Sequence, residues 1–261
     1  MKMFFRYMRT DLKRALEGAG FWLSIAAVAV AGLLYLIEEL DSYLDVMYVF
    51  HQAIYGSMFF LNYIFTAIPC ASLLVEDWET GYYRPAMVRG GLISYGIAKA
   101  AVIFTIPSAV LAAGNFLFLL ILKVRLPWMG SVGSQVAGVV GERVAGALLA
   151  NGHYLTYAIC YCLELGILLG ILNLLAACCS MYLKNRLLTW IAPLLFYFLI
   201  QYLLILAGIS DLGLLCFFDL TYNEQLWGTP VPLFAMGAGL FSFAVLSGFL
   251  VWKMERAVRN G

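Results

Sequence analysis

The chain has 261 residues, 64% of them hydrophobic and only 12% charged, with a mean hydropathy of +0.90. Soluble domains average roughly 45–50% apolar and about 25% charged residues, so the polar surface that keeps a globular enzyme dissolved is missing here. A formal net charge of +1, from 16 Lys and Arg against 15 Asp and Glu, provides no bulk attraction for nucleic acid or acidic ligands.

The composition predicts an all-α integral membrane protein, because a backbone with no water to bond must satisfy itself within each helix. Residues 1–19 form a predicted amphipathic interfacial helix. Phe4, Phe5, Met8, Leu12, Ala15 and Leu16 recur at helical spacing, and Lys2, Arg6, Arg9 and Lys13 fall opposite them. Such a helix lies in the inner headgroup layer with its basic face toward anionic lipid. The stretch is too charged for the apolar region of a signal peptide, so the span after it is expected to remain in the mature protein.

Residues 20–252 are predicted to hold six transmembrane helices, each meeting the need for about 20 apolar residues. They run from Gly20 to Ile37, Val46 to Val75, Leu92 to Leu122, Tyr154 to Leu183, Leu187 to Ile209 and Val231 to Trp252. Pro69, Pro107 and Pro193 mark kinks or helix ends within them. All Lys and Arg except Lys123, Arg125 and Arg143 fall on the face that carries both termini. The first and fifth loops hold only acids (Glu38, Glu39, Asp41, Asp45; Asp211, Asp219, Glu224), so both termini, including the tail 253–261, are expected to be cytoplasmic.

The loop between the second and third spans is the most informative stretch. Acids precede Gly81, aromatics and basics follow it, and Lys99 sits just inside the next span. Trp78, Tyr82 and Tyr83 suit a cleft in a protein partner, with Glu76, Glu79, Arg84 and Arg89 fixing orientation. The same aromatics also suit headgroup anchoring.

The spacing Glu76, Gly81, Arg89, Tyr95, Lys99 between the second and third of six spans resembles the type-2 ATP-binding-cassette (ABC) transporter permease family. That resemblance implies that loop 76–91 is a coupling helix docking into a cytoplasmic ABC ATPase subunit, and that Lys2 to Glu17 is the family's connecting helix. Asn185 and Arg186, in a tight turn before the span containing Pro193, are similar to the family as well. It further implies a second permease copy or a related chain, a homo- or heterodimer, in the plasma (inner) membrane of a bacterium. Pro85 and the Gly90–Gly91 pair depart from the pattern and are expected to shorten or break the coupling helix.

The chain has no Gly-rich loop ending in Gly-Lys-Ser or Gly-Lys-Thr, so it is expected to bind no cofactor and to be no enzyme. ATP and Mg would be held by the partner ATPase.

The loop 123–153 is glycine-rich and is predicted to lie on the outer side, with a partly amphipathic helix within it. In the fourth span Glu164 is the only mid-span acid, at a cost of roughly 2.5–3.5 kcal/mol if ionised in lipid. It is either a contact on a substrate or proton path, or a neutral group bonded to a neighbouring helix through Asn62 or Asn173. Gly166 and Gly170 form a small-xxx-small pair beside it, suited to close helix approach. The six cysteines lie almost entirely in apolar runs and suggest no disulfide framework or zinc site.

The leading expectation is the permease subunit of an ATP-driven exporter for an amphipathic substrate: a peptide, a drug or a lipid-like compound. An ion-coupled carrier or channel using Glu164, or an intramembrane enzyme, is the alternative.

Overall fold

Every element among the described residues is a helix or a turn. The computed structural model describes residues 2–38, 45–71, 73–83, 85, 91–130, 144–183, 185–208, 213–218 and 231–259. In chain order these form α1 (Lys2–Glu17), α2 (Ala19–Glu38), α3 (Val46–Tyr55), a 3-10 turn (Ser57–Phe60), α4 (Leu61–Phe65) and α5 (Leu73–Glu79). There follow α6 (Leu92–Lys123), α7 (Val144–Ala150), α8 (Tyr154–Leu183), α9 (Arg186–Leu206), α10 (Leu214–Phe217) and α11 (Val231–Arg259).

Among the described residues four helices are long and apolar enough to cross a membrane: α6, α8, α9 and α11. A fifth span is reached if α1 and α2, which meet at a 59° bend, are taken as one broken unit. The sequence predicts six, and the difference lies largely in the second.

Val46 to Val75 is not one helix. Gly56 turns extended after α3, at φ −69° and ψ 158°, and the chain re-enters as the 3-10 turn and α4. Pro69 then has no N–H to return to the Phe65 carbonyl and disfavours the helical conformation at Ile68. The backbone stays bonded through turns instead: Thr66 Oγ1 donates to the Asn62 carbonyl at 2.7 Å and Ala71 N to that of Ala67 at 2.8 Å.

α6 and α8 form the centre, with α1, α2, α3 and α11 against α6 and α5, α7, α9 and α11 against α8. The apolar stretch of α8 is 72% buried, against 17% for α9 and 22% for α11, so α8 is the axis and the last two are peripheral. Two glycines make the central contact possible. A Cβ on Gly166 would lie 2.7 Å from the Ser108 Cα, and one on Gly170 would overlap the Phe104 carbonyl. Pro107, inside α6, leaves the Ile103 carbonyl without its helical donor, and the Cys70 thiol donates to it at 3.8 Å. On the periphery, Leu195, Leu199 and Leu203 of α9 and Leu240, Phe241 and Val245 of α11 are exposed, a surface that lipid or another subunit covers in a membrane.

At one end Asp45 caps α3, accepting from Tyr48 N at 2.9 Å and from Gly130 N at 3.1 Å. Val46 N and Met47 N donate to the Pro127 and Trp128 carbonyls at 3.0 and 3.2 Å, so the start of the 123–153 loop is pinned to α3. α7 follows at Val144; residues 131–143 and most of the fifth loop, Tyr222 and Trp227 included, lie outside the described residues. The predicted tail 253–261 continues α11 to Arg259.

Candidate functional site

The loop singled out from the sequence is built around α5. Leu73, Leu74, Val75 and Asp77 are buried, while Glu76 and Trp78 are half-buried and Glu79 is exposed. The helix stops where Thr80 N bonds the Glu76 carbonyl at 2.9 Å and Gly81 takes φ +69°. Among the described residues no neighbour stands within 4 Å of a Cβ at Gly81, so glycine is favoured there by backbone conformation. Gly81 thus ends α5 ahead of Pro85 and Gly90, and beyond it Tyr83 and Pro85 are again helical. Arg84 and Arg89 lie outside the described residues.

Among the described residues, most ion pairs gather at or beside α5. Lys99 Nζ of α6 sits 2.8 Å from Asp11 of α1 and 2.6 Å from Asp77 of α5, with Lys99 and Asp77 fully buried and Asp11 nearly so. Arg14 of α1 reaches Asp77 at 2.7 Å, Glu76 at 3.3 Å and Asp11 at 3.5 Å. The Tyr95 hydroxyl donates to the second Asp77 oxygen. At the surface Arg186 of α9 pairs with Glu79 at 2.6 Å and with Glu76 at 3.4 Å. Asn185 orients that turn by capping α9, its Oδ1 accepting from Leu187 N at 2.9 Å and Leu188 N at 3.3 Å. Three helices distant in sequence are thereby tied to one short helix.

The two halves of this cluster differ in weight. Burial alone pushes the Asp77 carboxyl up, but Lys99, Tyr95 and Arg14 outweigh it and hold Asp77 below its ordinary value. The Arg186 pairs are exposed and screened, so Arg186→Ala is expected to lower stability by less than about 1 kcal/mol in detergent thermal unfolding.

The remaining predicted contacts form an aromatic edge. Trp78 and Tyr83 stack with ring centroids 4.0 Å apart, and Tyr82, 40% exposed, lies 5.8 Å below the Arg14 guanidinium. Beside them opens a cleft of about 480 Å³ lined by Val75, Trp78, Glu79, Tyr83, Met181, Lys253 and Ala257. Of the predicted coupling residues, Glu76, Trp78, Glu79, Gly81, Tyr82 and Tyr83 thus share one corner, with Lys99 buried beneath it. Sequence reasoning missed Asp11, Arg14 and Asp77 as members, while Tyr95 was in the spacing that it singled out. One signal was available: Asp11 falls in line with Tyr7 and Ala15, on the stripe that α1 buries.

The intramembrane group is separate. Glu164 is 4% exposed on α8, facing the same side as Tyr157 and Tyr161, with Tyr157 within its electrostatic reach. Asn173 Nδ2 donates to the Leu169 carbonyl of its own helix at 2.8 Å, and Asn62 is buried on α4. His51 and Tyr55 of α3 stand near Tyr161, whose hydroxyl donates to that of Tyr55 at 3.3 Å. Among the described residues no three His, Cys, Asp or Glu side chains gather in a way that can hold a metal ion.

No protein-family model, no curated protein and no solved structure matches the chain. The all-helical fold and its four to five apolar helices are compatible with a multi-pass membrane protein.

Proposed function

We propose that the chain is the permease subunit of an ATP-driven exporter of the type-2 ABC kind, moving an amphipathic substrate while a separate cytoplasmic ATPase hydrolyses ATP. One observation carries this reading: α5, short and edged with aromatics, is bonded through charged groups to α1, α6 and α9 at once. A push on Trp78, Tyr82 or Tyr83 is shared by three helices instead of being absorbed in a loop. Force transfer of this kind needs a stiff lever, and buried ion pairs with their geometry fixed by several partners supply one. The bare apolar faces of α9 and α11 suit a second permease copy, and both termini would then face the ATPase side.

The test is co-purification. A stoichiometric ATPase should accompany the tagged chain, and Tyr82→Ala should weaken that association by about 1–2 kcal/mol, as truncation of an exposed aromatic anchor does. Glu79→Ala should weaken it too. Binding unchanged in both variants sinks the docking role of this corner.

A second reading rests on Glu164, an acid buried within the most enclosed helix of the bundle. A chain that purifies alone and moves protons or cations in a Glu164-dependent way is a carrier or channel, not a permease.

A further inference from the structure

α1 has three distinct faces. Tyr7, Asp11 and Ala15 are buried against the bundle, and Met8, Leu12 and Leu16 lie half-buried beside them. Phe5 completes that apolar flank at 57% exposure. The third face is an exposed basic stripe, Lys2, Arg6, Arg9 and Lys13, at i, i+4, i+7 and i+11. Among the described residues Glu17 is the one acid that pairs with it, 3.6 Å from Lys13 with both ends exposed. Beyond the bend, at the start of α2, Trp22 is 65% and Leu23 67% exposed.

Cations alone would suit any polyanion. Cations on a helix that also exposes Phe5, followed by the exposed Trp22 and Leu23 of α2, suit a surface that offers phosphate and hydrocarbon side by side. The 59° bend between α1 and α2 turns α1 away from the line of the next helix, as a helix lying on such a surface requires.

We propose that α1 is a lever that reads membrane charge. Acidic phospholipid headgroups seat its basic stripe, and the Asp11–Lys99–Asp77–Arg14 cluster makes α5 follow the seating. Asp11 and Arg14 belong to α1, Asp77 belongs to α5, and Lys99 bridges them from α6, so α1 cannot shift without straining the contacts of α5. The exposed stripe is open to screening by salt, whereas the buried cluster is not. This device operates whether or not α5 meets an ATPase.

The experiment uses the full chain in nanodiscs of phosphatidylcholine, with and without about 30% phosphatidylglycerol, followed by hydrogen exchange of backbone amides. Exchange in both α1 and α5 is expected to slow about tenfold in the acidic discs. Replacing Lys2, Arg6, Arg9 and Lys13 together by Gln should abolish both responses. Asp11→Asn combined with Arg14→Gln, which removes both charged ties of α1 to the cluster, should leave the response of α1 and remove that of α5. If that variant misfolds, the unaltered chain in about 0.5 M salt should lose both responses together. An α1 indifferent to lipid charge overturns the lipid assignment. An α5 that fails to follow α1 in the unaltered chain, or still follows it in the Asp11→Asn, Arg14→Gln double variant, overturns the lever. None of these readouts involves an ATPase, so failure here is distinct from failure of the co-purification.

Discussion

Lys99→Met is expected to destabilise the chain by about 3–5 kcal/mol, the usual cost of removing one partner from a buried ion cluster. The substitution nearly conserves volume, so the loss is electrostatic. It leaves the Asp11 and Asp77 carboxylates buried and close together, with Arg14 as the remaining cation between them. Asp11→Leu should cost less, because Lys99 keeps Asp77 and Arg14 keeps Asp77 and Glu76. The double variant should be more stable than Lys99→Met alone, since it removes a whole ion pair and leaves Arg14 with Asp77. Thermal unfolding of the four proteins in one detergent decides the matter; a double variant worse than Lys99→Met would show that charge balance is not what holds this corner.

The same cluster fixes an acid limit. Asp77 is held below its ordinary value of 3.8, so the folded state favours its ionised form. The stability this contributes is complete above that ordinary value, which the unfolded chain keeps, and is lost as pH falls through the lower folded value. Asp77→Asn should therefore be less stable than the parent at neutral pH, with the gap narrowing below about pH 4.

Gly170→Ala is expected to open the seam between α6 and α8 at a cost of about 1–3 kcal/mol, although alanine is the better helix former. The added methyl overlaps a backbone carbonyl, that of Phe104, which cannot rotate away as a side chain would. Relief requires α6 and α8 to separate along the contact that centres the bundle. Gly248→Ala on α11 is the control: no atom stands within 4 Å of its added Cβ, so it should be neutral or stabilise by about 0.5–1 kcal/mol. Unfolding temperature and the symmetry of the size-exclusion peak read out both. Equal behaviour of the two variants would mean that helix propensity, not the close approach, governs these positions.

The long apolar helices were legible because length and hydropathy suffice to specify them: α6, α8, α9 and α11 lie close to the predicted spans. The close approach at Gly166 and Gly170 was legible too, being a pattern within one helix. In the second span the break at Pro69 was legible and the one at Gly56 was not, because hydropathy reports burial and not continuity. Gly56 and Pro69 interrupt the backbone while leaving the apolar run intact. The aromatic corner was found from its composition, but the cluster beneath it was not. Lys99 and Asp11 are 88 positions apart, and no local periodicity pairs residues at that distance. What sequence offered was one acid on the buried stripe of α1 and one lysine inside an apolar helix, each costly alone and each the reason for the other.

The interrupted stretch from Gly56 to Ala71 has a mechanical consequence. A rigid rod from α3 to α5 would force any displacement of α5 to appear undiminished at the far end, where Asp45 and the Trp128 segment are fastened together. Short turns with their own local bonds break that rod, so a displacement of α5 is expected to arrive at the Asp45 end diminished.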